Sequence, residues 1–545
     1  MIKWILLSVL FVSLACHKDI EDTNSGEILI DSLFVNGDFV PNNGSIDNVD
    51  YLGVEILIKF HTHVDTALFN KGKLFITGGI DTNYSHQFSK DKQSLFLLLP
   101  DLEGLSIYRV LFDQGQNLGG MVYKGYSAVI KTSLDETPKF PEITDDSLLT
   151  LVQKKTFNYF WEYGHPVSGL ARERHGSGDI VTSGGSGFGL MAIITGIERG
   201  YISREEGFQR LNKISGFLIA PSTDRFHGAF PHWLNGSTGK VHPFSTKDNG
   251  GDLVETAYLM QGLLTVREYF KTGNAAEKAM CDTIQKLWEG VEWDWYRNGD
   301  QNKLFWHWSP NYEWQMNMPV TGWNEALIVY ILAASSPTHP VPKTVYDEGW
   351  ARNGAIANGK TFYGIMLPLG YDQGGPLFFA HYSFLGLDPR NLSDQYASYW
   401  TQQVAHSRIN YEYCKANPRH YPEYGENCWG LTASDIPGGY SACSPTNDLG
   451  VIAPTAAISS LPYTSAESMQ AMKFFYYVLG DKLWGDFGFY DAFSLKDQWF
   501  ASSYLAIDQG PIVCMIENYR TGLLWDLFMT NNDVLNGLTK LGFTY

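Results

Sequence analysis

The chain has 545 residues, of which 44% are apolar and 14% aromatic. This length provides core for more than one domain, and the aromatic content exceeds what a core needs, as in carbohydrate-binding surfaces or large interfaces. With 40 Lys and Arg against 58 Asp and Glu, the net charge is −18. That balance argues against nucleic acid as a partner, because phosphate binding needs clustered cations, and it suits a neutral partner such as a glycan.

The first residues predict an exported protein. A lysine precedes an apolar stretch over 4–15 that is too short to span a bilayer. It ends in Ser-Leu-Ala-Cys, which resembles a bacterial lipoprotein box with Cys16 as the lipidated residue, and the acidic residues that follow resemble a surface-export signal of Bacteroidetes lipoproteins. We predict a signal peptide over 1–16, a tether over 17–27 and a lipoprotein of the outer membrane, on its periplasmic or cell-surface face. An ordinary cleaved secretory peptide is the alternative.

Residues 28–135 show a strand-like pattern. Residues 54–60 partly alternate between apolar and polar, and the apolar runs 74–76 and 95–99 are separated by clusters of Gly, Asn and Asp. Short strands with frequent turn signals predict a small antiparallel β-sandwich of immunoglobulin type. No chemistry is evident in it, so a stalk or packing module is the favoured role and glycan binding is the alternative.

Beyond a boundary at 137–146 the apolar period changes to 3.6, so residues 145–545 are predicted to be mainly α-helical. Helices that are apolar on most faces, joined by long loops rich in Gly, Pro and Trp, fit a double-layered helical barrel with a buried inner ring. The predicted helices lie at 147–162, 187–199, 203–219, 252–271, 275–290, 323–335, 394–408, 451–460, 464–478 and 518–530.

The most informative motif is a carboxylate pair at the start of an apolar helix. Asp252 and Glu255 are three residues apart and therefore lie on one helical face. The aromatic and polar run 226–236 precedes them and contributes the candidate sugar contacts His232 and Trp233. Acids beside exposed rings suit carbohydrate chemistry, since flat apolar surfaces stack on sugars. Helix capping by Asp252 and a capping box at Glu255 are the alternatives.

A second polar group lies upstream. Arg172 and Glu173 form part of an Arg-Glu-Arg run that predicts either a structural salt bridge or a clamp on sugar hydroxyls. Asp179 is either a pocket residue or a turn residue. The glycine-rich segment 184–189 lacks the strand and acidic residue of a dinucleotide site, so it is predicted to be a tight loop before a helix.

Further aromatic clusters predict a shared cleft. They contribute the candidate sugar contacts Trp308, Trp323, Glu325, His381 and Tyr382.

Asp448 lies in a polar loop before another apolar helix, where it is either a second acid or a helix cap. Asp508 and Glu517 are weaker candidates. No nucleophile elbow, nucleotide loop or strong metal pattern is present, so acids are the natural catalysts, no cofactor or metal is expected, and acid–base hydrolysis is the predicted reaction.

Five cysteines follow the leader, and one disulfide among Cys414, Cys428 and Cys443 is plausible in an oxidising compartment.

These motifs together resemble a known family. The runs 187–200, 225–234 and 251–256, extended by 323–325 and 379–390, closely resemble the glucoamylase-like proteins of Bacteroidetes, glycoside hydrolase family 144. The resemblance covers roughly residues 145–545. It implies an (α/α)6 barrel that hydrolyses β-1,2-glucosidic bonds of β-1,2-glucan or its oligosaccharides with inversion.

Within the resemblance, Glu255 corresponds to the general acid and Asp448 to the base side. Asp252, Glu173 and Asp179 become subsite residues. The amino-terminal sandwich resembles the exo-acting type that releases sophorose. The alternatives are endo cleavage, an exo-acting α-glucosidase, and a non-catalytic surface lipoprotein that binds glycans; a monomer is expected.

Overall fold

The structure is a computed structural model that describes residues 27–545. They divide into two compact units, one ending at Asp135 and the other running from Glu136 to Tyr545. The predicted signal peptide and the lipidation site Cys16 lie outside the described residues, as does all of the tether but its last residue. No helix within 27–545 has both the length and the apolar character needed to cross a membrane.

The first unit is built from strands, as predicted, and contains no α-helix among its described residues. The strands β1 to β11 are Glu27–Ile28, Ile30–Val35, Asp38–Val40, Gly44–Val49, Glu55–Phe60, Leu74–Ile76, Ser85–Phe88, Ser94–Leu98, Ile107–Phe112, Met121–Val122 and Tyr126–Thr132.

Two sheets make up most of this unit. One has the order β3-β2-β5-β8-β7 and is antiparallel throughout; the other has the order β4-β11-β9-β6, with β4 and β11 parallel. Alternate residues of β5 and β11 are buried, because successive side chains of a strand point to opposite faces. The buried faces form one apolar core for the unit.

The second unit is mainly helical with small sheets. Its helices α1 to α14 are Asp145–Trp161, Ser183–Glu198, Arg204–Ile219, Leu253–Phe270, Ala275–Glu289, Leu327–Ser335, Phe378–His381, Tyr399–Ala416, Pro454–Ile458, Ser465–Lys473, Gly480–Leu483, Ala506–Arg520, Leu523–Phe528 and Asn532–Leu541. The short strands β12 to β24 are Ile180–Thr182, Trp233–Asn235, Val241–His242, Gly251–Asp252, His307–Trp308, Thr361–Phe362, Ile365–Met366, Ala433–Ile436, Gly439–Ala442, Trp484–Gly485, Gly488–Phe489, Phe493–Ser494 and Trp499–Phe500.

Two differences from the predicted helices affect the site. The glycine-rich segment is not a loop: Ser183 already begins α2, because the glycines let this helix pack closely on a neighbour. The helix predicted at 518–530 is instead α12, which ends at Arg520, followed by α13. Gly522, in the left-handed conformation with φ +74°, separates the two.

The first turns of five helices meet at one end of the unit. The Gly184 N–H of α2 bonds to Glu255 of α4, and the Tyr258 hydroxyl of α4 bonds to the backbone carbonyl of Glu325, just before α6. Thr455 of α9 donates to the backbone carbonyl of Asp508 in α12. A Cβ added at Gly185 would overlap Ala506, so α12 also begins beside α2. Residues far apart in sequence are thereby gathered at these helix starts.

Glycines set the spacing between α2 and α4. A Cβ added at Gly187 would overlap the backbone carbonyl of Tyr258, and one added at Gly262 would overlap the carbonyl of Gly187. The two backbones therefore touch, and a side chain at either position would force the helices apart.

We expect Gly187→Ala to lower the free energy of unfolding of the second unit by about 2 kcal/mol, because overpacking against backbone outweighs the helix propensity gained. Denaturant titration followed by Trp fluorescence measures this, since every Trp within 27–545 lies in this unit. The matched control is Gly216→Ala in α3, where nothing lies within 4 Å of the added Cβ; it should stabilise slightly. Equal stability of both variants would show that the helix contact is not tight.

Candidate active site

Glu255 lies in the first turn of α4 and is 6% exposed. Its Oε2 accepts hydrogen bonds from the Gly184 N–H at 2.8 Å and the Thr182 hydroxyl at 3.4 Å. Burial, together with the neighbouring Asp252 carboxylate, raises the pKa of Glu255 above its usual value. The side chain points at α2 and makes no capping box, so it is available as a proton donor.

Asp252 uses one carboxylate oxygen for helix capping and the other for contacts with neighbouring side chains. It is the N-cap of α4: Oδ1 accepts from the backbone N–H groups of Val254 and Glu255 at 3.0 and 2.9 Å. Its Oδ2 faces His232 Nδ1 at 3.0 Å and Trp306 Nε1 at 3.2 Å. Burial raises the pKa of Asp252, but the His232 hydrogen bond, the charges of His307 and His232 and the backbone hydrogen bond from Glu255 together outweigh burial, and the net pKa is lowered. An ionised carboxylate therefore lies beside a carboxyl that favours its neutral form.

Two histidines connect these acids to a third carboxylate. His307 Nε2 lies 3.3 Å from Asp248 Oδ2 and 3.5 Å from Asp252 Oδ2, while His232 Nε2 lies 4.0 Å from Glu255 Oε1. Burial lowers the pKa of His232, but the Glu255 and Asp252 carboxylates raise it more, to about 9. The short pairs β12–β13 and β15–β16 bring these segments together.

Among residues 27–545, His232, Asp248 and Asp252 form the one group with the composition and spacing for a metal, their ligand atoms lying within 4.8 Å of one another. Three N–H groups or ring nitrogens already surround Asp252 Oδ2. This arrangement is a hydrogen-bond network of carboxylates and imidazoles, and the chemistry that it supports is proton transfer.

Glu325 stands at the entrance to α6 and is 9% exposed. Burial, assisted by the charges of Glu255 and Asp252, raises the pKa of Glu325 to about 7. The predicted sugar contact therefore lies close enough to the acid pair to be influenced by it electrostatically.

Asp448 lies in a loop before α9 and is 6% exposed. Its Oδ2 accepts from the Tyr413 hydroxyl at 3.0 Å, and its Oδ1 from the Tyr424 hydroxyl at 3.1 Å and the Gly450 N–H at 3.0 Å. The carboxylate is thus fixed in orientation. None of its hydrogen bonds reaches Glu255 or Asp252.

Arg172 and Glu173, predicted either as a clamp on sugar hydroxyls or as part of a salt bridge, both make contacts within the protein. Glu173 pairs with Arg174 at 3.1 Å, and burial raises the pKa of Glu173. Arg172 donates to the carbonyls of Tyr163 and Gly178. Asp179 is exposed and bonds to His165 at 3.1 Å, and none of its described hydrogen bonds reaches Glu255 or Asp252.

The structure also contains a second cluster of acidic residues. Sequence reasoning missed Asp435 and Asp491 and treated Asp508 only as a weaker candidate. Arg174 Nη1 lies 3.2 Å from Asp435, whose N–H donates to Asp491 at 2.7 Å. Burial raises the pKa of Asp491 to about 7, and burial with the Asp491 charge raises the pKa of Asp508 well above its usual value. Both carboxyls therefore favour the neutral form. No spacing along the chain links residues 174, 435, 491 and 508, so only the fold reveals the group.

Aromatic rings flank the acid pair. Phe244, half exposed and not noticed in the sequence, lies with its centroid 4.3 Å from the His232 ring and 4.8 Å from the Trp233 ring. Trp308 of β16 lies 5.3 Å from Trp295. Phe244, Trp233 and Trp308 are at least partly exposed and can stack on a sugar.

The structure places three other predicted sugar contacts in the core instead. Trp323 is 1% exposed and packs on Trp350 and Tyr399. Burial lowers the pKa of His381 to about 3, and its Nε2 pairs with Ser460 at 3.0 Å. Tyr382 is buried as well, with its ring 5.7 Å from that of Tyr258. Apolar helix starts hold these rings as packing groups, which a sequence pattern alone does not distinguish from a cleft.

The expected disulfide is absent. Cys414, Cys428 and Cys443 are free and buried, as are Cys281 and Cys514. Burial raises the pKa of each of these thiols, so they remain protonated.

Comparison with known proteins identifies relatives of this chain. A family model described as "Glycoamylase: Putative glucoamylase" matches residues 317–532. An exo β-1,2-glucooligosaccharide sophorohydrolase (non-reducing end) of Parabacteroides distasonis is 47% identical over 421 residues, which cover 73% of this chain and 58% of that protein. This chain therefore spans under two thirds of that curated relative.

Solved structures match more completely. The endo-β-1,2-glucanase of Chitinophaga pinensis, in complex with sophorotriose and glucose, is 56% identical with a TM-score of 0.73, covering 74% of this chain and 99% of that one. A β-1,2-glucanase from Parabacteroides distasonis is 40% identical with a TM-score of 0.71, covering 91% of this chain and 72% of that one. Identity this high over nearly whole enzymes places the chain in glycoside hydrolase family 144, the family of glucoamylase-like β-1,2-glucanases.

Proposed function

We propose that this protein hydrolyses β-1,2-glucosidic bonds of β-1,2-glucan or its oligosaccharides, releases sophorose from a chain end and inverts the anomeric configuration. The observation that carries this proposal is the buried Glu255, whose pKa is raised by burial while Asp252, three residues earlier, has a lowered pKa. A buried carboxyl whose pKa is raised, so that it retains its proton, is what the general acid of glycoside hydrolysis needs.

Glu255 is the general acid in this mechanism. Its proton passes to the glycosidic oxygen as the bond to the anomeric carbon breaks, and a water attacks that carbon from the opposite face. Asp448, oriented by Tyr413 and Tyr424, is the general base and accepts the proton of the water. Inverting carboxyls usually stand roughly 6.5–9.5 Å apart; a longer separation is bridged by a substrate hydroxyl and the water.

Substrate contacts come from exposed rings and the upstream acids. Trp233, Trp308 and Phe244 supply stacking surfaces, whereas Glu173 and Glu325 accept hydrogen bonds from sugar hydroxyls. Asp252 acts on the substrate through Glu255 and His232. Asp179 and Arg172 belong to an outer subsite in this proposal, because none of their described hydrogen bonds reaches Glu255 or Asp252.

The proposed architecture is an (α/α)6 barrel preceded by an immunoglobulin-like sandwich. Support comes from the meeting first turns of α2, α4, α6, α9 and α12, and from the two sheets of the first unit. We place the protein as an outer-membrane lipoprotein anchored through Cys16, on the resemblance of its first residues to a lipoprotein leader.

Exo action is supported by the Parabacteroides relatives. The sophorohydrolase is named as acting from the non-reducing end, and the β-1,2-glucanase from the same organism covers 91% of this chain, which includes residues of the first unit. Endo cleavage is the second candidate, because the Chitinophaga endo-β-1,2-glucanase has the higher identity, 56%.

We expect Glu255→Gln to reduce kcat by about 10²–10⁴-fold, the contribution of a general acid, with substrate binding retained because the amide oxygen still accepts from Gly184. Initial rates on sophorooligosaccharides and calorimetric binding to the same ligand measure the two effects. Glu205→Gln, on the exposed face of α3, is the control and should keep full activity. Near-normal turnover of the Glu255→Gln variant would exclude Glu255 as the acid.

Product analysis separates the candidate activities. We expect sophorose to accumulate from the first minutes of incubation with β-1,2-glucan, while long chains shorten only slowly, because an exo enzyme removes units from one end. Chromatography over time measures this, with laminarin and starch as control substrates. A ladder of oligomers would establish endo cleavage, starch hydrolysis alone an α-glucosidase, and binding without hydrolysis a glycan-binding lipoprotein.

A further inference from the structure

Of the two histidines in direct contact with the acid pair, His232 is the more exposed. Its side chain is 22% exposed, whereas Glu255 is 8% and Asp252 0% exposed. An inverting acid has lost its proton at the end of each turnover and must regain one before the next. Because Glu255 is buried, a neighbouring side chain must carry that proton from solvent to its carboxylate.

The imidazole of His232 is held in one orientation. Its Nδ1 is bonded to Asp252 Oδ2 at 3.0 Å, its face lies against Phe244 at 4.3 Å, and its backbone carbonyl accepts from the Ser183 N–H at 3.1 Å. Asp252 therefore keeps a proton on Nδ1, so that the proton the ring can lose and regain is the one on Nε2. That nitrogen faces Glu255 Oε1 at 4.0 Å.

We propose that His232 is the proton relay that recharges Glu255 after each bond cleavage. This inference rests on the proposed function and deepens it. The Nε2–H of the imidazolium passes its proton to Oε1 of the Glu255 carboxylate, and the neutral imidazole, with Nδ1–H still bonded to Asp252, takes a proton from solvent at Nε2. The transfer needs the side chains to close by about 1 Å, since N–H···O bonds measure about 2.7–3.2 Å.

The surrounding charges favour a cationic ring. Carboxylates reach His232 from three directions: Asp252 and Glu255 from α4, Asp248 from the loop after β14, and Glu173 from the strand side. His307 opposes them from β16, but it is itself held between Asp248 and Asp252. Glu325 acts on Glu255 from the start of α6. Acids outnumber bases, so the ring is recharged readily at neutral pH.

The relay can be tested because reprotonation of Glu255 comes after cleavage of the glycosidic bond. Recharging follows the irreversible cleavage, so a relay defect lowers kcat and KM together and leaves kcat/KM near wild type. For His232→Ala we expect kcat to fall by about 10²-fold, at the low end of what a proton-transfer group contributes. Added imidazole should restore much of kcat, and this rescue should decline as pH rises and the imidazolium form is lost.

The matched control is His339→Ala. His339 Nδ1 also pairs with a carboxylate, Asp294 at 3.1 Å, but it has no described contact with Glu255; neither its kcat nor its response to imidazole should change. Should His232→Ala fail to fold, His232→Gln replaces it, with the solvent isotope effect on kcat expected to rise above wild type and that on kcat/KM to stay unchanged.

A fall in kcat/KM without imidazole rescue would overturn the relay. The relay would also be overturned if His232→Ala moved the alkaline limb of the pH–rate profile to higher pH without lowering kcat, because His232 would then act only as a fixed charge. The Glu255→Gln variant separates this inference from the proposed function. If wild type cleaves β-1,2-glucan and Glu255→Gln does not, the absence of imidazole rescue in His232→Ala rejects the relay alone. If wild type is inert, or if Glu255→Gln is active, the proposed function fails.

Discussion

The contact between α2 and α4 is the constraint on which the site depends. Gly187 and Gly262 let the two backbones touch, and Gly184, one turn earlier, places its N–H against Glu255. A Cβ at Gly184 would overlap the carboxylate that it now binds. Because these three positions have no side chain, the N-terminus of α2 can approach Glu255 and bury it. The Gly184 N–H then donates a hydrogen bond to the buried carboxyl. Close packing and function have the same cause here.

Three residues separate two carboxyls with opposite behaviour. Asp252 receives two backbone N–H groups at Oδ1 and the His232 and Trp306 donors at Oδ2, which favour its charged form. Glu255 receives one short hydrogen bond and is otherwise buried, which favours its neutral form. The difference arises from the number of donors that each side chain meets, because the charge of a buried group is set by what solvates it in place of water.

The same end of the unit holds a second set of acids. Asp491 and Asp508 are buried in the core, and Asp435 connects Asp491 to Arg174 and Glu173. These acids stand beside the start of α12, which itself begins beside α2. Because burial raises the pKa of Asp491 and of Asp508, these two carboxyls favour their neutral forms.

The sequence by itself determined the periodicities, the strand-rich first unit, the helical second unit and the closeness of Asp252 and Glu255 at the start of one helix, because these depend on residue types a few positions apart. It could not determine that 184–189 is helical, since the glycines there are explained only by a neighbouring helix about 70 residues away. It also could not place Trp323 and His381 in the core, or join His307 and Asp248 to Asp252. Those facts depend on contacts between distant segments, which only the tertiary structure decides.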